Sequence, residues 1–263
     1  MSNRISDTFN RLKSNSEKAF IAFITGGDPD IETTERLILA MEESGVDLVE
    51  IGIPFSDPVA EGTVIQEADE RALAGGCTVD RLFEMVVRLR ERTNMPLLFM
   101  TYANPVYAYG KERFMARCKE TGIDGVIIPD VPFEEKGEFE DECVRYGIDL
   151  ISLIAPTSGE RAEKIAAEAK GFLYCVSSLG VTGTRSDINK NIAEVIGQVR
   201  EVSPIPCAIG FGISTPEQAR EMAEISDGVI VGSAIVKLIA EFGKDSVVPV
   251  KNFVSELKSC LCV

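Results

Sequence analysis

The chain has 263 residues, 45% apolar and 26% charged, with a formal net charge of −15. That size and mix describe a globular chain with room for one large core, and the acidity argues against nucleic acid, whose phosphates it would repel. There is no histidine, which excludes Ser–His and Cys–His nucleophile pairs and histidine-held metals, so acid–base work falls to carboxylates, Tyr, Lys or Cys.

The polar, amphipathic start MSNRISDTFNRLK predicts a helix over residues 2–14 rather than a secretory signal. Strands are predicted in FIAFIT (20–25) and LVEIGI (48–53), followed by a helix over 80–93. Next come strands in PLLFMTY (96–102) and GVIIPD (125–130), a helix over 134–147, and strands in LISLIA (150–155) and FLYCVS (172–177). The last are CAIGFG (207–212) and GVIVGS (228–233), with a helix over 214–224 between them that opens on a Ser/Thr cap and Pro216. Near-continuous apolar runs of this length suit parallel strands buried on both faces. Eight β-then-α units predict an α/β fold, a (β/α)8 TIM barrel with an additional N-terminal helix; a doubly wound open sheet would usually have fewer strands. With no linker or composition break, one domain is expected over 1–263: the N-terminal helix within 1–15, strands across 20–233, and C-terminal helices over 234–263. No apolar run approaches the ~20 residues of a membrane span. The seven cysteines, scattered singly apart from Cys260 and Cys262, point to reduced thiols and a cytoplasmic protein.

One strand breaks its own pattern. In LVEIGI, Leu48, Glu50 and Gly52 share one face, while Val49, Ile51 and Ile53 share the other. The branched set suits packing under helices, so Glu50 is expected to point into the barrel, near the carboxyl end where such barrels carry catalysis. A structural Glu would need a buried cation, and the eight strand runs contain neither Lys nor Arg. An unpaired carboxyl there would keep its proton to near neutrality and serve as an acid or base. Glu61 follows in the shaped loop PFSDPVAEG, where an acid is more often simply solvated.

The last two strands end in glycine and small residues, AIGFGIST (208–215) and VIVGSAIVK (229–237), each leading into a helix start where backbone N–H groups can hold an anion. LGVTGTR (179–185) adds a third such loop after the sixth strand. Barrels often bind phosphate after strands seven and eight. Phe23, Met100, Leu153, Tyr174 and Phe211 are core candidates that together could line a slot for a flat apolar group.

The stretches FITGGDP, VEIGIPFSDPVAEG, MTYANPVYAYG, GVIIPDVPFEE, GVTGTR, GFGIST and GSAIVK, in order over almost the whole length, resemble the tryptophan synthase alpha chain family. The resemblance implies cleavage of indole-3-glycerol phosphate to indole and glyceraldehyde 3-phosphate. It also implies a pyridoxal-phosphate beta chain as partner, in a heterotetramer of two alpha and two beta chains that passes indole through a tunnel, with no cofactor or metal in this chain. By the same matching, Glu50 is the general acid/base, Glu61 steadies the indole N1–H, Tyr174 helps orient Glu50, and Thr182 sits on a closing loop. Gly183, Gly212, Gly232 and Ser233 would hold the phosphate, and Phe23, Met100, Leu153 and Phe211 would flank the indole. Asp57, Pro58, Tyr102, Asn104 and Asp130 would face the beta chain. The family loop reads ADGP where this chain has AEGT, so Glu61 is one methylene longer than the usual Asp, and slower turnover is expected. Two alternatives stand beside the lyase: a non-catalytic or weakly active glycerol-phosphate-binding regulatory subunit of the beta chain, and a barrel isomerase of tryptophan or histidine biosynthesis.

Overall fold

The structure, a computed structural model, describes residues 3–159, 161–176, 185–210 and 212–261, with the backbone alone over 185–190. Among these, the strands are β1 (Ala19–Thr25), β2 (Leu48–Gly52), β3 (Leu97–Met100), β4 (Gly125–Ile127), β5 (Asp149–Leu150), β6 (Ser152–Ile154), β7 (Leu173–Val176), β8 (Cys207–Gly210) and β9 (Gly228–Val231). All pair in parallel, in the order β5-β4-β3-β2-β1-β9-β8-β7-β6, a nearly closed TIM barrel.

The ninth strand is a division of the fifth. Asp149 and Leu150 pair with β4, whereas Ser152–Ile154 pair with β7. Strands in a barrel are staggered, so a short one meets its two neighbours at different heights. Here the change of partner falls at Ile151, and the chain itself carries the ring across the gap.

Twelve helices wrap the sheet among the described residues. The N-terminal α1 (Arg4–Ser14) starts at Asn3, whose side chain accepts from the Ser6 N–H at 3.1 Å. Its buried face, Ile5, Phe9 and Leu12, plugs the amino end of the barrel against Ile21, Leu48, Leu98 and Phe172. Arg4 pins it to Asp124 at 2.8 Å, and Arg11 to Asp47 at 3.0 Å.

The inside–outside alternation holds strand by strand. Ile21 and Leu48 belong to the inner cluster, while Ala22, Ile24, Val49 and Ile51 pack outward under the helices. Between β2 and β3 run α3 (Thr63–Ala74) and α4 (Val79–Arg90), and α3 covers the barrel's carboxyl end. There Ile65 and Ala68 pack on Phe23 of β1 and on Val236 of α11 (Ser233–Phe242). The helix predicted over 214–224 is α10 (Pro216–Ile225), capped by the Thr215 side chain with Pro216 in its first turn. A final helix, α12 (Val247–Ser259), lies beside α2 (Ile31–Glu43). Among the described residues no helix is long and apolar enough to cross a membrane.

Candidate active site

Glu50 sits in the middle of β2, paired across the sheet with Phe23 and Leu98. It is 0% exposed, and neither carboxyl oxygen has a hydrogen-bond partner among the described residues. Burial, and secondarily the charge of Glu61, pushes its pKa up from 4.5 to about 8. Glu50 is therefore a protonated acid at neutral pH, able to give its proton and take one back.

Glu61 lies on the loop between β2 and α3. Its pKa is raised by burial, an effect opposed by the Tyr102 hydroxyl, which donates to Oε1 at 3.4 Å. The same hydroxyl accepts from the Ala60 N–H at 3.1 Å, so Tyr102 clasps the loop from β3's carboxyl end. Of the two acids, Glu61 is the less enclosed and has a donor. The charge of Glu61 is a secondary cause of the rise at Glu50, so an ionised Glu61 helps Glu50 keep its proton.

A cavity of about 390 Å³ is lined by Phe23, the sheet partner of Glu50, and by Glu61. Met100, Tyr174 and Ile230 line it together with Gly212, Gly232 and Ser233. Two glycines make room for its aromatic rings. A Cβ at Gly52 would stand 2.8 Å from Phe23 Cζ, and one at Gly210 would stand 2.5 Å from the Tyr174 hydroxyl. Tyr174 is 7% exposed, and burial together with Glu50 and Glu61 raises its pKa well above the usual phenol value. Its hydroxyl does not hydrogen-bond Glu50.

The glycine lining is shaped for an anion. Gly212 has φ +74° with open space where a side chain would be. Gly232 precedes α11, and no side chain caps that helix's first turn, whose residues Ser233 and Ala234 line the cavity. At α10, by contrast, the Ser214 N–H already donates to Gln218 Oε1 at 2.7 Å. The predicted residues Thr182, Gly183 and Phe211 lie outside the described residues.

The structure thus gathers Phe23, Glu61, Met100, Tyr174, Gly212, Gly232 and Ser233 around one cavity; Glu50 is not among its lining residues but pairs across the sheet with Phe23, which is. Leu153 is not among the residues lining that cavity; it packs against the inner cluster that holds Tyr174 and borders a cleft beside Pro129 and Phe133. Asp57, Asn104 and Asp130 are exposed, and Pro58 is half-buried. Asp130 accepts from the Ala103 N–H at 3.0 Å, tying two rim loops together. Tyr102 is only 5% exposed and turned toward Glu61, so its side chain serves the loop from within.

Two residues escape the sequence reading. Asp69 of α3, 5% exposed, has its pKa raised to about 7 by burial first and the Glu61 charge second, against the Phe55 N–H and Thr25 hydroxyl, which lower it. Its signal was an acid on the helix's buried stripe with Ile65, Ala68 and Ala72. Lys237 lines the cavity from α11; its signal was its spacing, four residues after Ser233. Among the described residues no three His, Cys, Asp or Glu side chains gather as a metal-binding group.

A sequence profile described as tryptophan synthase alpha chain matches residues 9–260. The tryptophan synthase alpha chain of Thermoanaerobacter sp. (strain X514) is 48% identical over 261 residues, covering 98% of this chain and 100% of the relative. That of Lactiplantibacillus plantarum is 54% identical over 226 residues, 86% of each. Among solved structures, tryptophan synthase subunit alpha from Legionella pneumophila superposes with a TM-score of 0.91 at 38% identity, covering 99% of both chains. Tryptophan synthase from M. tuberculosis in its aminoacrylate-bound form gives 0.87 at 31%, covering 99% of this chain and 100% of that one.

Proposed function

The chain belongs to the tryptophan synthase alpha chain family, and from that membership we propose that it cleaves indole-3-glycerol phosphate to indole and glyceraldehyde 3-phosphate. The observation that carries the reading is Glu50, a wholly buried acid with no hydrogen-bond partner among the described residues, protonated at neutral pH.

The steps balance with two carboxyls. Neutral Glu50 gives its proton to C3 of the indole, and the N1 lone pair moves into the ring, leaving an iminium. The Glu61 carboxylate accepts a hydrogen bond from N1–H and stabilises that positive charge. Glu50, now a carboxylate, removes the proton from the glycerol hydroxyl next to C3. The C–C bond breaks, its electrons neutralise the iminium, and indole and an aldehyde separate. The indole ring is its own electron sink, so the reaction as written asks no metal or cofactor of this chain. Phe23 and Met100 would flank the ring, and Gly212, Gly232 and Ser233 would receive the phosphate.

A beta chain carrying pyridoxal phosphate is the proposed partner, taking indole through a tunnel in a heterotetramer. The exposed rim residues Asp57, Asn104 and Asp130 support this, as does Val59, 81% exposed on the Glu61 loop. The six described cysteines are all free, which supports a reducing, cytoplasmic setting. A single assay tests the proposal: indole release by the wild-type and Glu50→Gln chains, with and without a beta chain. Glu50→Gln should bind substrate and release no indole; retained turnover would refute the assignment. A wild-type chain that binds glycerol phosphates yet releases no indole in either condition would point to the regulatory-subunit reading instead.

A further inference from the structure

The reaction above requires the cavity to seat its substrate in one direction, with the phosphate away from Glu61. Backbone N–H groups supply part of that, but the chain's charge of −15 works against any anion. Lys237 is the one cation lining the cavity among the described residues. It has no hydrogen bond or ion pair there, and Glu241, one turn further along α11, forms none with it. Helix geometry explains its reach. Residues four apart lie on one face, about 6 Å apart along the axis, and side chains lean toward the helix N-terminus. Lys237, exposed, thus lies one turn after Ser233 on the same side of α11, and it lines the cavity together with Ser233, Gly232 and Gly212. Its neighbour Val236 is locked against Phe23, which holds that face of the helix toward the cavity.

We propose that Lys237 is the phosphate-recognising side chain of this cavity, pairing with the substrate's phosphate and so setting the substrate's direction between α11 and Glu61. The inference rests on the reading in the preceding subsection. Lys237 acts on binding, not on the proton transfers, because the phosphate takes no part in the C–C cleavage.

The test uses the full chain as wild type, Lys237→Met and Lys237→Arg. Lys237→Met keeps an apolar stem of similar length and removes the charge. Calorimetric titration with glycerol 3-phosphate should show Lys237→Met binding about tenfold more weakly at low salt, the scale of one charge-assisted hydrogen bond, with the difference shrinking at 0.5 M salt on the order of the expected screening. Lys237→Arg should stay within about twofold, since the charge is kept. Indole alone, which has no phosphate, should bind all three equally. The KM for indole-3-glycerol phosphate should rise by the same factor as the binding loss while kcat holds. Unchanged glycerol 3-phosphate binding in Lys237→Met, or an equal loss of indole affinity, would overturn the assignment of Lys237 alone, provided the wild type turns over. A wild type that neither binds glycerol 3-phosphate nor releases indole would overturn the proposed function and this inference together.

Discussion

Glu50→Gln is expected to raise the stability of the fold by an amount that grows with pH. In the unfolded chain Glu50 ionises at its ordinary 4.5, and in the folded chain at about 8. Below 4.5 both states hold the proton, so the group contributes no difference. Between 4.5 and 8 the unfolded state releases the proton that the folded state keeps, so stability falls as pH rises, by about 1.4 kcal/mol per unit. Above 8 the penalty is constant. Gln cannot titrate, so its own cost of burial is the same at every pH. From pH 5 to pH 8 the variant should therefore gain about 3–4 kcal/mol on the wild type, on the order of 10 °C in melting temperature for a chain of this size. Asp69 is buried in both proteins, so its titration largely cancels in the difference. Thermal unfolding of both proteins at pH 5, 6, 7 and 8 measures it. A melting-temperature difference that is the same at pH 5 and pH 8 would refute the claim that Glu50 is folded away as a neutral acid.

Glu61→Gln removes the charge that secondarily raises Glu50, so the alkaline limb of kcat/KM should move to lower pH while staying well above 4.5, since burial is the larger cause. The loss of the negative charge facing N1–H should also cut kcat by about 10²-fold; a pH–rate profile with an unmoved limb counts against the coupling. Gly210→Ala sets a methyl 2.5 Å from the Tyr174 hydroxyl and 2.8 Å from two ring carbons. It should cost about 1–3 kcal/mol by chemical denaturation and reduce turnover by tilting the Tyr174 ring; wild-type stability and turnover would show that the ring yields freely.

Much of this arrangement was legible in local order. The period-two alternation of β2 sent Glu50 inward because Val49 and Ile51 needed the helix-facing side, and the lack of Lys and Arg in the strand runs left it without a counter-ion. The Ser/Thr and Pro216 signal marked the start of α10 because capping is settled within one turn. Glycines at the ends of β8 and β9 announced an anion-sized opening for the same local reason. Other features needed contacts that no window of sequence contains. Asp69 reads as one acid on a helix until α3 seats it beside Thr25 and the Glu61 loop. Tyr102, expected at an outward-facing rim, turned inward to clasp a loop. The fifth strand changes partner at Ile151 because of the barrel's stagger, a property of the whole ring. Which face a side chain takes follows from residues two to four positions away, whereas what it meets there follows from how a closed sheet is sheared and how its helices seat on top.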